Sequence, residues 1–112
     1  MSSIDKRIYQ MQAEICKSLA NPLRIEIINT LKEGAKTVTE LMEIIGVNQA
    51  NLSQHLAILR SKKIVEARRK GNSVYYSLAN PKIIEACNLL RQILREQLEA
   101  ERKLITSNQQ HK

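Results

Sequence analysis

Residues 39–61 read Thr39-Glu40-Leu41-Met42-Glu43-Ile44-Ile45-Gly46-Val47-Asn48-Gln49-Ala50-Asn51-Leu52-Ser53-Gln54-His55-Leu56-Ala57-Ile58-Leu59-Arg60-Ser61. Thr39 offers a side-chain oxygen to cap a short helix, with Glu40 and Glu43 near its positive end and Leu41, Ile44 and Ile45 facing inward. Gly46 ends it. Asn48 can cap a second helix from Gln49 to about Ser61, in which Leu52, Leu56 and Leu59, with Ile58 beside them, repeat at helical spacing. The opposite face is Gln49, Ala50, Ser53, Gln54 and Ala57. Two helices joined by a tight turn that starts with Gly form a helix-turn-helix pattern.

Upstream, Ile4, Ile8, Met11, Ile15 and Leu19 alternate spacings of four and three, which predicts an amphipathic helix over residues 4–20. That helix stops near Asn21-Pro22, because the residue before proline avoids helical angles while proline suits the first position of a new helix. Asn21 is the expected cap of a second helix of about three turns that buries Leu23, Ile27, Ile28 and Leu31 and ends at Gly34. Downstream, the β-prone runs 64–69 and 73–78 flank Lys70-Gly71-Asn72, a hairpin signal. Asn80-Pro81 repeats the cap-then-proline device and opens a last helix with Ile83, Ile84, Cys87, Leu90, Leu94 and Leu98 on one side, reaching about Ile105. Residues 106–112 are polar and expected to form a disordered tail after a single domain over 1–105.

The 112 residues leave no room for a second compact domain, and 43% hydrophobic with 26% charged is a soluble globular composition. The polar start followed by Asp5, Lys6 and Arg7 fits neither a signal peptide nor a membrane span. Two cysteines are too few for a disulfide scaffold, which favours a reducing, cytoplasmic setting. With no Phe and no Trp the core must be aliphatic. The net charge of +7 is uneven. Residues 47–82 hold Arg60, Lys62, Lys63, Arg68, Arg69, Lys70 and Lys82 against Glu66 alone, so nearly all of the excess lies there. A focused positive field suits a polyanion, since cations that meet phosphates release condensed counterions. A solvated basic face is the plain alternative.

Helices, a helix-turn-helix, a basic hairpin and a long closing helix follow one another in the order of a winged-helix domain, mostly α with a small β-hairpin wing (α+β). The segments 16–28 (Cys-Lys-Ser-Leu-Ala-Asn-Pro-Leu-Arg-Ile-Glu-Ile-Ile), 39–46 (Thr-Glu-Leu with Gly46), 48–60 (Asn-Gln-Ala-Asn-Leu-Ser-Gln-His-Leu-Ala-Ile-Leu-Arg) and 71–78 (Gly-Asn-Ser-Val-Tyr-Tyr-Ser-Leu) together resemble the ArsR/SmtB family of bacterial and archaeal repressors, over roughly residues 10–100. The resemblance implies a homodimer, joined through its first and last helices, that binds double-stranded DNA at an imperfect inverted repeat and releases it on sensing an inducer. The apolar stripes agree with this, being longer than a core of this size can cover, and Ile8, Met11, Ile15, Leu90, Leu94 and Leu98 are the expected dimer contacts.

The first turns of a recognition helix point into the major groove, which makes Gln49, Ala50, Ser53 and Gln54 the expected base readers. Gln can bond adenine in two places and Ala50 can touch a thymine methyl, although many family members carry a hydroxyl residue there. Asn51 is a candidate for a phosphate. His55 falls where the family frequently has a histidine, beside the DNA backbone or packed on the turn. Arg68, Arg69 and Lys70, with Asn72 at the hairpin tip, suit phosphates or a minor groove. Arg60, Lys62 and Lys63 could meet phosphates or sit as favourable charges at the helix's negative pole.

Metal-sensing relatives depend on residues that this chain lacks. The third helix holds no Cys-x-Cys pair, and the last helix lacks the Asp and His ligands of zinc sensors, so no metal and no cofactor is expected. Cys16 and Cys87 read as small buried hydrophobes or, together, as a thiol sensor of oxidants, sulfane sulfur or arsenic, with Cys16 the more reactive. A Gly-rich phosphate loop and the nucleophile constellations of hydrolases are missing, which argues against an enzyme. The competing reading is a winged helix that serves as a protein-interaction or dimerisation module.

Overall fold

Asn21 and Asn48 each begin a helix by the same device. Asn21 Oδ1 accepts from the backbone N–H of Leu23 at 3.0 Å and of Arg24 at 3.2 Å, and Asn48 Oδ1 accepts from that of Asn51 at 2.8 Å. Both satisfy amides that a helix start leaves without partners. In the computed structural model, which describes residues 3–110, the elements run α1 (Ser3–Leu19), α2 (Pro22–Leu31), β1 (Lys36–Thr37), α3 (Val38–Ile45), α4 (Gln49–Ser61), β2 (Val65–Lys70), β3 (Ser73–Leu78) and α5 (Lys82–Gln110). The chain divides after Pro81 into two units, of which the second is α5.

The core of the first unit is aliphatic throughout. Ile27 and Ile28 of α2, Leu41 of α3, Leu52, Leu56 and Leu59 of α4 and Val65 of β2 are fully enclosed, with Leu31 and Ile64 at the margin. Each such side chain stabilises the fold by roughly 1.5–3 kcal/mol. Gly46 takes the left-handed conformation (φ +83°) and its N–H reaches Met42 O at 2.8 Å, so the chain leaves α3 at once and re-enters helix at Gln49. At the far end of α4, Lys63 adopts φ +59° while Ile64 N–H donates to Leu59 O at 2.9 Å and Lys63 N–H to Arg60 O at 3.0 Å. This is a Schellman closure with lysine where glycine is usual.

Several local expectations give way to tertiary structure. The cap of α3 is Thr37, not Thr39: Thr37 Oγ1 accepts from Glu40 N–H at 3.2 Å while Glu40 Oε1 accepts from Thr37 N–H at 3.0 Å, a reciprocal capping box that Thr39 could not make with Met42. Lys36 and Thr37 also form a strand. They pair antiparallel with Tyr76 and Tyr75, so the hairpin is part of a three-stranded sheet ordered β1-β3-β2. Helix α2 is closed by Lys32, whose N–H reaches Asn29 O, and Gly34 lies two residues beyond, in the turn. Ile44, expected inside, is 57% exposed, because α3 is only eight residues long and Leu41 occupies its buried face.

Strands β2 and β3 pair from Val65↔Leu78 to Lys70↔Ser73 across the two-residue turn Gly71-Asn72, with Gly71 at φ +64°. Helix α5 runs 29 residues, about 43 Å at 1.5 Å per residue, with Leu90, Leu94 and Leu98 all more than half exposed. It continues through Gln110, past the expected end at Ile105, since no Gly or Pro interrupts it; of the expected disordered tail, residues 111–112 lie outside the described residues. Among the described residues no helix is long and apolar enough to cross a membrane.

Thr37→Ala should therefore cost about 1 kcal/mol in denaturant unfolding, with Thr39→Ala near neutral. Hydrogen bonds from the Thr37 backbone and hydroxyl, helped by Lys36, hold the Glu40 carboxyl below its ordinary value. A carboxylate depressed in the folded state stabilises above its unfolded value of 4.5, and that contribution fades as pH falls through the lower folded value. Glu40→Ala should accordingly flatten the acid limb of the stability profile below about pH 4.5.

Candidate nucleic-acid interface

Helix α4 turns its leucines to the core and its remaining side chains to solvent. Gln49, Ala50, Ser53, Gln54 and Ala57 are all exposed, and Asn48 gives its side-chain oxygen to the helix start. Asn51 is exposed on a different part of the helix surface. The structure thus brings the four expected base readers to one free face, held by three fully buried leucines behind it.

The cations are grouped in two places. Arg68, Arg69, Lys70 and Asn72 are exposed around the hairpin tip, and strand alternation separates them: Arg68 and Lys70 share a face with Glu66, Tyr75 and Ser77, whereas Arg69 follows Val65 and Ala67 on the other. The first group, with Ala35, lines an open cavity of about 450 Å³ on the sheet. None of the three wing cations forms an ion pair among the described residues. Arg60, Lys62 and Lys63 are exposed at the end of α4, where Lys62 Nζ stands 3.3 Å from Glu14 Oε2 of α1. That pair is open to water and contributes little stability.

His55 is half-buried and bonded within the protein. Arg24 Nε donates to His55 Nδ1 at 3.1 Å, and Arg24 Nη1 donates to the backbone oxygen of Ser18 at 3.0 Å. Sequence reasoning passed over Arg24 and Ser18. The available signal was a sign mismatch: an arginine in the first turn of α2 faces the helix's positive pole, an unfavourable place for a cation without a tertiary partner.

The hydrophobic positions expected at a dimer contact are open in the single chain. Ile8 and Met11 of α1 are more than half exposed and Ile15 somewhat less. The two thiols differ. Cys16 is exposed on α1, whereas Cys87 is buried, and that burial pushes its thiol above the ordinary value against the opposing pull of Arg91. No group of three or more His, Cys, Asp or Glu that could hold a metal ion occurs among the described residues.

Comparison with known proteins places these features in company. Residues 21–67, from the α2 cap into β2, match the model of the family described as bacterial regulatory protein, arsR family. The HTH-type transcriptional regulator Rv0081 of Mycobacterium tuberculosis is 42% identical over 88 residues, covering 78% of this chain and 77% of that protein. Its crystal structure superposes with a TM-score of 0.76, covering 84% of this chain and 95% of that one. The transcriptional repressor PagR of Bacillus anthracis is 37% identical over 80% of this chain and 95% of its own. The homodimeric winged helix-turn-helix DNA-binding domain of Mb0332 from Mycobacterium bovis, solved in solution, is 30% identical with a TM-score of 0.79, covering 89% of this chain and 93% of that one.

The contrast between the thiols can be measured directly. In the native protein Cys16 should react with a maleimide within minutes, and Cys87 should lag by about tenfold or more until denaturant is added, because a thiol held protonated by burial is a poor nucleophile. Equal rates would show that Cys87 is not shielded.

Proposed function

From the premise that this chain belongs to the ArsR family of bacterial regulatory proteins, we propose that it is a homodimeric repressor that binds an imperfect inverted repeat in double-stranded DNA and releases it on an inducer signal. The observation that carries this reading is the free polar face of α4, backed by buried leucines and followed by a wing whose three cations have no ion-pair partner among the described residues. Side chains of this kind serve the two halves of recognition. Gln49, Ala50, Ser53 and Gln54 meet base edges in the major groove, and Arg68, Arg69, Lys70 and Asn72, with Asn51, Arg60 and Lys63, meet the backbone or an adjacent minor groove.

Two copies supply the symmetry that an inverted repeat requires. The exposed stripes of Ile8, Met11 and Ile15 on α1 and of Leu90, Leu94 and Leu98 on α5 are the surfaces a second copy covers, since contiguous apolar area of that extent is uncommon on a monomer. The homodimeric state of the related Mycobacterium bovis domain supports this assignment. The protein acts in the cytoplasm, where its DNA is.

Fragments selected from random-sequence DNA by the purified protein would define the operator, and binding to it can then be compared with binding to unrelated duplex. Gln49→Ala should lose roughly 1–3 kcal/mol on the operator and little on unrelated DNA, as expected for a bidentate base contact. Arg69→Ala should weaken both alike and reduce the slope of log affinity against log salt by about one per protomer. Identical affinity for the operator and unrelated duplex would instead favour an interaction module that meets an acidic protein.

A further inference from the structure

Arg24 grips two helices with one rigid group. Its backbone is fixed first: the Arg24 N–H is one of the two amides that Asn21 caps, so the residue leaves the start of α2 in a set direction. Its guanidinium then donates from Nε to His55 Nδ1, midway along α4, and from Nη1 to the carbonyl oxygen of Ser18, in the last turn of α1. Ser18 is itself buried at 4% exposure, and its hydroxyl donates to Glu14 O at 2.9 Å.

The chemistry of the donor dictates the state of both acceptors. A guanidinium has only N–H donors, set in a planar fork, so each target must present a lone pair. To accept from Arg24, His55 must leave Nδ1 bare, which puts the ring proton on Nε2. The Ser18 carbonyl is one of the last four of α1, which have no partner within their own helix, and a cation is favoured at that negative end. A lysine could not replace this, because a single ammonium on a flexible stem does not hold two acceptors at the fixed separation of Nε and Nη1. A further bond from α1 to the end of α4, Lys62 to Glu14, is solvent-exposed and weak.

We propose that Arg24 is a positioning residue that sets α4 against α1 and so fixes the separation of half-sites the dimer accepts, without touching DNA. The inference rests on the function proposed above, in which α1 joins the two copies and α4 enters the groove. If α1 is the fixed reference in the dimer, any looseness between α1 and α4 becomes looseness in the distance and angle between the two recognition helices. One added base pair shifts a half-site by about 3.4 Å and turns it by roughly 35°, which a rigidly placed helix does not follow.

The test uses the full-length dimer and the selected operator, synthesised with its half-sites at the native separation and at one base pair more and fewer. Wild type should prefer the native separation by about tenfold or more, and Arg24→Gln should reduce that preference to within about threefold, a change that a loss of stability alone does not produce. A second measurement needs no Arg24 variant. Nitrogen-15 NMR of the imidazole, assigned with His55→Asn, should show the His55 proton on Nε2 in wild type; a proton on Nδ1 would overturn the proposal. An Arg24→Gln protein that keeps the wild-type spacing profile overturns it too and leaves the proposed function standing. Wild type that binds the operator and unrelated DNA equally overturns both.

Discussion

Leu52, Leu56 and Leu59 have no surface left for water, and a helix can give only one face to a core, so burying them decides which other residues of α4 meet solvent. The rest of the first unit is arranged around that requirement. Helices α2 and α3 and strand β2 supply the aliphatic partners Ile27, Ile28, Leu41 and Val65, and turns at Gly46 and Lys63 deliver the chain into and out of α4 at fixed angles. Rotating α4 by one residue would bring a polar side chain into this aliphatic enclosure, at a cost in lost hydration. The polar surface of α4 is thus a by-product of core packing as much as a chosen site.

The sequence made most of this frame legible because its punctuation is chemical. Asn21-Pro22, Gly46, Asn48 and Gly71-Asn72 each solve a backbone problem that few other residues solve, and each stands where it was expected. What escaped reading depends on partners distant in the chain. The strand at Lys36-Thr37 exists because Tyr75 and Tyr76 lie beside it, and once Thr37 is extended there it becomes the residue able to cap α3. Ile44 obeys helical spacing but α3 is too short to bury it. Of the candidate interface, the face of α4 and the basic tip could be read from spacing and charge. The bond from Arg24 to His55, 31 residues apart, could not.

Charge is distributed by the same economy. Two acidic groups of the first unit act locally, Glu40 in its capping box and Glu14 on Lys62, while Arg68, Arg69 and Lys70 have no ion-pair partner among the described residues. Lys63 carries the pattern furthest, since a left-handed lysine holds a conformation that glycine would adopt without steric penalty.

The two residues of β1 have an effect out of proportion to their number. A two-stranded hairpin in water is marginally stable and samples many directions. Paired on its other edge with β1, β3 becomes the central strand of its sheet, and the wing is anchored to the start of α3 through Thr37, which belongs to both. Ordering a backbone costs roughly 1–2 kcal/mol per residue, and here that cost is met during folding. The wing consequently meets any partner already shaped, so association is governed by encounter and release, with little conformational search between them.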